Sequence, residues 1–258
     1  MIQPIPDGLI CLTFDDGVKS QHRFVVPLLE ELGFGGTFYI SEGLRFLEDK
    51  TRYMTWEEIA DLDARGFEVG NHTRAHKNVN EQTPDELRAD IDHIDARCRA
   101  YGITHPTTFC YPGYRNGPAA VEVLRDRGFA FARRGTDPEF TYNGEGGCGP
   151  AYDPTRHDPL LVPTTGAVGP AYSLDDFKCP LIRRQRARFA CLLITACPIS
   201  IMLGFTSIPT YSPPICAIYR TMPVRSSPCA TSSATCLWSE RIVHLRPVCK
   251  RTIDGATG

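Results

Sequence analysis

Between residues 9 and 132, short apolar runs alternate with stretches of helical period. That order excludes a helical bundle and an all-β sandwich, and it calls for βα units on a parallel sheet. Strands are predicted over 9–14, 37–40, 67–70, 107–111 and 129–132. The first helix is expected over 20–32, with Phe24, Val25, Leu28, Leu29 and Leu32 on one stripe and Gly33 as its stop. Others are expected over 55–66, from 83 to about 99, and over 119–127. Thr55-Trp56-Glu57-Glu58 and Thr83-Pro84-Asp85-Glu86 both have capping-box spacing, and Pro84 suits the first helical position.

In parallel αβ sheets and barrels, chemistry gathers at the C-terminal ends of the strands. The first predicted strand runs into Asp15-Asp16-Gly17, and the third into Asn71-His72-Thr73-Arg74-Ala75-His76. Gly17 loosens the backbone, so both aspartates can turn into one site. His72 and His76 share a face if their segment makes a helical turn. One carboxylate and two imidazoles form a usual catalytic zinc set with a position left for water, and a second carboxylate can act on that water as a base.

These residues carry a resemblance. CLTFDDG, GGTFYI, TWEEIADLDARGFEVGNHTRAH and FCYPGY, within residues 8–178, are similar to the polysaccharide deacetylases, the NodB-homology or carbohydrate esterase 4 family. The resemblance implies an α/β fold, a distorted (β/α) barrel of fewer than eight strands. It implies a hydrolase acting on carbon–nitrogen (non-peptide) bonds, which removes N- or O-acetyl groups from a carbohydrate with the help of a divalent metal. Asp15 matches the base, and Asp16, His72 and His76 match the metal ligands. Zinc is the default, and cobalt or nickel suits the same donors.

The third motif departs from the pattern. Where the family commonly has Arg-x-Pro-aromatic, this chain has Cys110-Tyr111-Pro112-Gly113-Tyr114. Tyr111, Pro112, Gly113 and Tyr114 are the substrate or oxyanion candidates. Cys110 stands at the position of the base-orienting arginine, which Arg133 or Arg134 is available to replace. The departure leaves open a small non-sugar amide as substrate, or an inactive deacetylase-like protein. Residues 136–166, rich in Gly, Pro and Asp, read as a long loop over the barrel mouth.

The remainder differs. Residues 179–258 hold ten basic and two acidic side chains, a balance of +8 that leaves −10 for the first 178 residues of a chain with net charge −2. Seven of the 11 cysteines fall there, without paired CxxC spacing. The uncharged run at 189–209 is long enough to span a bilayer, but Pro198 interrupts it and its far end lacks anchors. The codons of Ile194 to Pro209, read one base out of step, permit His-Gly-Val-Pro-Asp-Ile-His-His-Ala-Trp-Val-His-Ile-Asp-Pro. That reading resembles the C-terminal motif bearing the family's general-acid histidine. Residues 1–178 are therefore expected to form the catalytic domain. Residues 179–258 are expected to be an out-of-frame, poorly ordered tail, with the last strands missing or scrambled and activity impaired. Without a signal peptide or a credible membrane span, the expected location is cytoplasmic, with a carbohydrate as partner rather than nucleic acid or membrane. The sequence leaves the oligomeric state open.

Overall fold

The computed structural model describes residues 9–140, 147–168 and 190–194. Strands β1 (Ile10–Asp15), β2 (Thr37–Ile40), β3 (Glu68–Asn71), β4 (Thr108–Cys110) and β5 (Phe131–Arg133) pair in parallel in that order. Helices α1 (Val26–Leu32), α2 (Trp56–Ala64), α3 (Pro84–Ala100) and α4 (Pro118–Asp126) lie in the connections. A π-helical turn, Gln21–Val25, leads into α1 just ahead of Pro27, whose missing N–H interrupts the usual ladder. Both predicted capping boxes are present, each stabilising its helix start by about 1 kcal/mol.

Three more strands complete the sheet: β6 (Gly147–Cys148), β7 (Gly166–Val168) and β8 (Ala190–Ile194). β8 pairs in parallel with β1, from Ile10↔Ala190 to Phe14↔Ile194. β7 pairs in parallel with β8, and β6 is an antiparallel partner at the rim. Upstream of β7, Val162 bridges to Arg133 of β5. The segment from Val162 to Val168 therefore touches both ends of the sheet, and the sheet curls into a distorted barrel with seven staves among the described residues.

β8 lies within residues 179–258, the part in which the last strands were expected to be missing or scrambled. Its apolar run docks between β1 and β7, whose backbone groups would otherwise be unpaired edges. The rest of 179–258, and loop residues 141–146, lie outside the described residues. Among the described residues no helix is long and apolar enough to cross a membrane, and Cys11, Cys98, Cys110 and Cys191 are free thiols.

Strand alternation sorts the side chains. Phe14, Phe38 and Val69 face outward into a core with Ile59, Leu62 and Ile94, and the Phe14 and Phe38 rings stack at 4.8 Å. Phe109 and Tyr111 join a second core with Ile91 and Leu124. The opposite faces of the strands send Thr13, Thr37, Tyr39, Glu68, Thr108 and Arg133 toward a small interior cavity. The barrel thus has apolar packing outside its sheet and a lumen that mixes these polar groups with Cys11, Phe131, Val162 and Cys191.

Candidate metal and base site

The ends of β1 and β3 meet at the barrel mouth. Asp16 (φ 70°) and Gly17 (φ 62°) are both left-handed, so the backbone reverses directly after Asp15. Asp16 Oδ1 then lies 3.5 Å from His72 Nε2 and 3.2 Å from His76 Nε2. The two imidazoles meet edge to face, with centroids 4.8 Å apart.

No helical turn joins these histidines, contrary to the expectation from their spacing. A tight loop does so, with Thr73 (φ 63°) and His76 (φ 53°) left-handed. Asn71 Oδ1 accepts from the Thr73 N–H at 2.9 Å, and Thr73 Oγ1 accepts from the His76 N–H at 3.1 Å. Such local side-chain bonds offer the backbone an alternative to helix. The loop is tied to α3 by Asn71 Nδ2, which donates to the Ile91 carbonyl and to Asp95, and by the Ala75 N–H, which donates to Asp90 at 3.2 Å.

His72 is 2% exposed, and its Nδ1 is 2.7 Å from the Cys110 carbonyl oxygen. A carbonyl only accepts, so Nδ1 carries a proton and Nε2 is the nitrogen turned toward Asp16. Burial alone would raise the Asp16 pKa. The imidazoles of His72 and His76 outweigh it and hold the carboxyl well below the usual carboxylate range. Asp16 Oδ1 is buried without a hydrogen-bond partner among the described residues. An ionised oxygen left so, facing two imidazole nitrogens, suits a divalent cation. Asp16, His72 and His76 offer three ligand atoms within 4.8 Å of one another, the number a catalytic zinc takes from protein.

Asp15, His72 and Cys110 also converge within 4.8 Å, but a cation is already there. Arg133 Nη2 donates to Asp15 Oδ1 at 2.6 Å and to Oδ2 at 2.5 Å, and lies 2.8 Å from Cys110 Sγ. Its Nη1 donates to Thr164 Oγ1 at 3.1 Å, which in turn donates to the Arg134 carbonyl at 2.6 Å. A metal ion in this second cluster would meet the guanidinium at close range and be repelled.

The two candidate arginines part company. β5 extends one residue beyond the predicted 129–132, to Arg133, and turns that side chain into the lumen. Arg134 leaves the site: its guanidinium donates to Glu139 at 2.8 and 2.9 Å and to the carbonyls of Leu161, Gly135 and Asp137.

The third-motif residues also separate. Tyr111 is buried in the core, its hydroxyl donating to the Leu160 carbonyl at 2.9 Å and its N–H to the Arg133 carbonyl at 3.0 Å. Pro112 is buried and has no N–H, and the Tyr114 N–H is spent on the Tyr111 carbonyl at 3.1 Å. Gly113 is exposed, left-handed at φ 59°, and its N–H enters no hydrogen bond among the described residues. Of the four, Gly113 alone has a backbone donor to offer. Its missing side chain leaves the mouth open at this point.

Sequence reading passed over Asn71, Asp90, Asp95 and Thr164. Asn71 had a signal, since an Asn at a strand end favours a turn built on its own side chain. Asp90, Asp95 and Thr164 had none, because their contacts cross between elements far apart in the chain.

The polysaccharide deacetylase family profile matches residues 3–132. A comparison with curated proteins finds no match. Among solved structures, a Streptococcus pyogenes deacetylase bound to acetate is 16% identical, with TM-score 0.51 over 68% of this chain and 70% of that one. The chitin deacetylase of Colletotrichum lindemuthianum is 20% identical, with TM-score 0.45 over 51% and 57%. A carbohydrate esterase domain of a multidomain xylanase from the hindgut metagenome of Trinervitermes trinervoides is 14% identical, with TM-score 0.49 over 78% and 84%. The match therefore spans less than two thirds of the chitin deacetylase chain. At these identities the first match bears on the fold alone.

Proposed function

Given that the chain belongs to the polysaccharide deacetylase family, we propose that it is a metal-dependent hydrolase that removes acetyl groups from an N- or O-acetylated carbohydrate. One observation carries this reading: Asp15, clamped by Arg133, stands beside the Asp16, His72 and His76 donor set. Asp16, His72 and His76 would hold the ion, zinc by default. When bound, such an ion supplies Lewis acidity at the acetyl carbonyl and makes a neighbouring water easier to deprotonate.

The residues of the chain do the rest. Asp15 accepts the proton of the attacking water as general base. Arg133 fixes that carboxylate in direction, and the Gly113 N–H donates to the developing oxyanion. The family resemblance puts a general-acid histidine near the C-terminus, and the shifted reading puts its codon across Ile194 and Thr195. Support comes from register: Ile194 pairs with Phe14, the residue before Asp15. A histidine at the end of this strand would sit at the height of the base. The codons of Phe189 to Leu193 also permit an apolar run in the shifted frame, so a strand fits here in either frame. The printed chain is accordingly a deacetylase deprived of its acid, and its activity is impaired.

A second reading, a small non-sugar amide as substrate, draws on Gly113, which leaves the mouth without an aromatic wall. One assay addresses both. Acetate release is measured from acetylated chitooligosaccharides, acetylated xylan and small amides, using the printed chain, a frame-restored chain and its Asp15→Asn variant, each with zinc. Acetate from the sugars by the frame-restored chain, lost in Asp15→Asn, is the expected result. Release from the amides alone would favour the second reading, and no release from any substrate would defeat both.

A further inference from the structure

The lumen has a feature that the proposed chemistry does not use. Arg133, Tyr39, Thr13, Glu68, Thr37 and Thr108 supply the polar part of the lining of a cavity of about 30 Å³ below the mouth, and Cys11, Phe131, Val162 and Cys191 the apolar part. A water needs roughly 10–15 Å³ of such space and two to four polar partners. Arg133 is 2% exposed, and while its two terminal nitrogens are engaged, its buried Nε–H has no partner among the described residues. Glu68 accepts from Thr37 Oγ1 at 2.7 Å on one oxygen and from Thr108 Oγ1 at 2.9 Å on the other. A carboxylate oxygen can accept more than one hydrogen bond, so these two do not bar a further one. Tyr39 has its ring 5.6 Å from the guanidinium carbon.

The signs of the charges select the occupant. Glu68 disfavours an anion and Arg133 disfavours a cation in a space this small. A neutral dipole satisfies both, with its oxygen toward the Arg133 Nε–H and its hydrogens toward Glu68. We propose that one or two water molecules occupy the lumen and join Arg133 Nε to the Glu68 carboxylate, which makes Glu68 a remote positioning residue for Asp15. The water site stands on the lumen alone, and the positioning role rests on the reading of Asp15 as the base. Asp15 and Glu68 would then hold one guanidinium from opposite sides, the first directly and the second through water.

High-resolution crystallography of the full chain tests the site without any substitution. One or two solvent peaks are expected, the nearest within about 3.2 Å of Arg133 Nε. A dry lumen, a protein group bonded to Nε, or an anomalous lumen peak after a bromide soak would overturn the proposal. The link to Glu68 is read from the Arg133 Nε–H resonance in nitrogen-15 spectra. Glu68→Gln, which keeps the side-chain shape, should speed its hydrogen exchange about tenfold; unchanged exchange counts against the link. In the frame-restored enzyme Glu68→Gln should lower kcat and leave KM unchanged, whereas equal loss in both would reduce Glu68 to a structural residue. An Asp15→Asn variant that still releases acetate would end the base reading and leave the water site standing.

Discussion

Arg133 Nη2 bridges both oxygens of Asp15, at 2.6 and 2.5 Å, and both side chains are almost wholly shielded from solvent. Residues 118 positions apart are thus joined in one buried ion pair. Removing one partner of such a pair strands the other, at a cost of about 3–5 kcal/mol. Arg133→Met is expected to lose stability on that scale in urea unfolding and to lose acetate release. Arg134→Met, which breaks the contacts to Glu139 and to the Leu161, Gly135 and Asp137 carbonyls but none to Asp15, should keep acetate release in the frame-restored chain. Equal inactivation by the two substitutions would contradict the assignment.

The ligand loop should respond to changes outside the ligands themselves. Asp90 accepts the Ala75 N–H, and Asn71 spans Thr73, Ile91 and Asp95. Asp90→Ala and Asn71→Ala are expected to weaken zinc binding by about 10–100-fold in calorimetry, since outer partners orient inner ligands. Asp16→Ala, which removes a donor outright, should weaken it further. Zinc affinity untouched by all three would place the metal elsewhere.

Tyr111 was a substrate-site candidate by sequence and is a core residue in the fold. Tyr111→Phe deletes one hydrogen bond to the Leu160 carbonyl and keeps the packing. A loss of about 1 kcal/mol in urea unfolding is expected, with KM and kcat unchanged. A large fall in kcat with unchanged stability would return Tyr111 to the site.

Glu42 gives a pH dependence through a buried cluster of its own. Its side chain is 4% exposed and accepts from His93 Nε2 at 2.6 Å, Trp56 Nε1 at 2.7 Å and Arg97 Nε at 3.0 Å. Burial raises its pKa, but the His93 and Trp56 bonds outweigh burial and hold it below the ordinary 4.5. A depressed carboxylate contributes stability that is present above 4.5 and lost as pH falls through its folded value. Between about pH 6 and pH 3, the Tm of the unaltered chain should therefore fall further than that of Glu42→Gln. Parallel curves would mean that this cluster does not titrate on unfolding.

What was local was legible. The two capping boxes, the order of strands and helices, and the donors at the ends of β1 and β3 each follow from residues a few positions apart. The meeting of His72 and His76 was legible too, although the turn that achieves it was not, because Asn71 and Thr73 side chains replaced the helical bond pattern. The clamp on Asp15 was different. In a strand the side chains alternate, so a one-residue slip in the pairing register of β5 exchanges which of Arg133 and Arg134 faces the lumen. Only pairing with β4, where Cys110 aligns with Arg133, and with Val162 fixed that parity. The same holds for Tyr111, whose place opposite Cys110 on a strand sends it outward, and for β8, whose apolar run became a strand because β1 and β7 offered it two edges. Sequence set the elements and the donor types; long-range backbone pairing decided which face of each strand the chemistry is on.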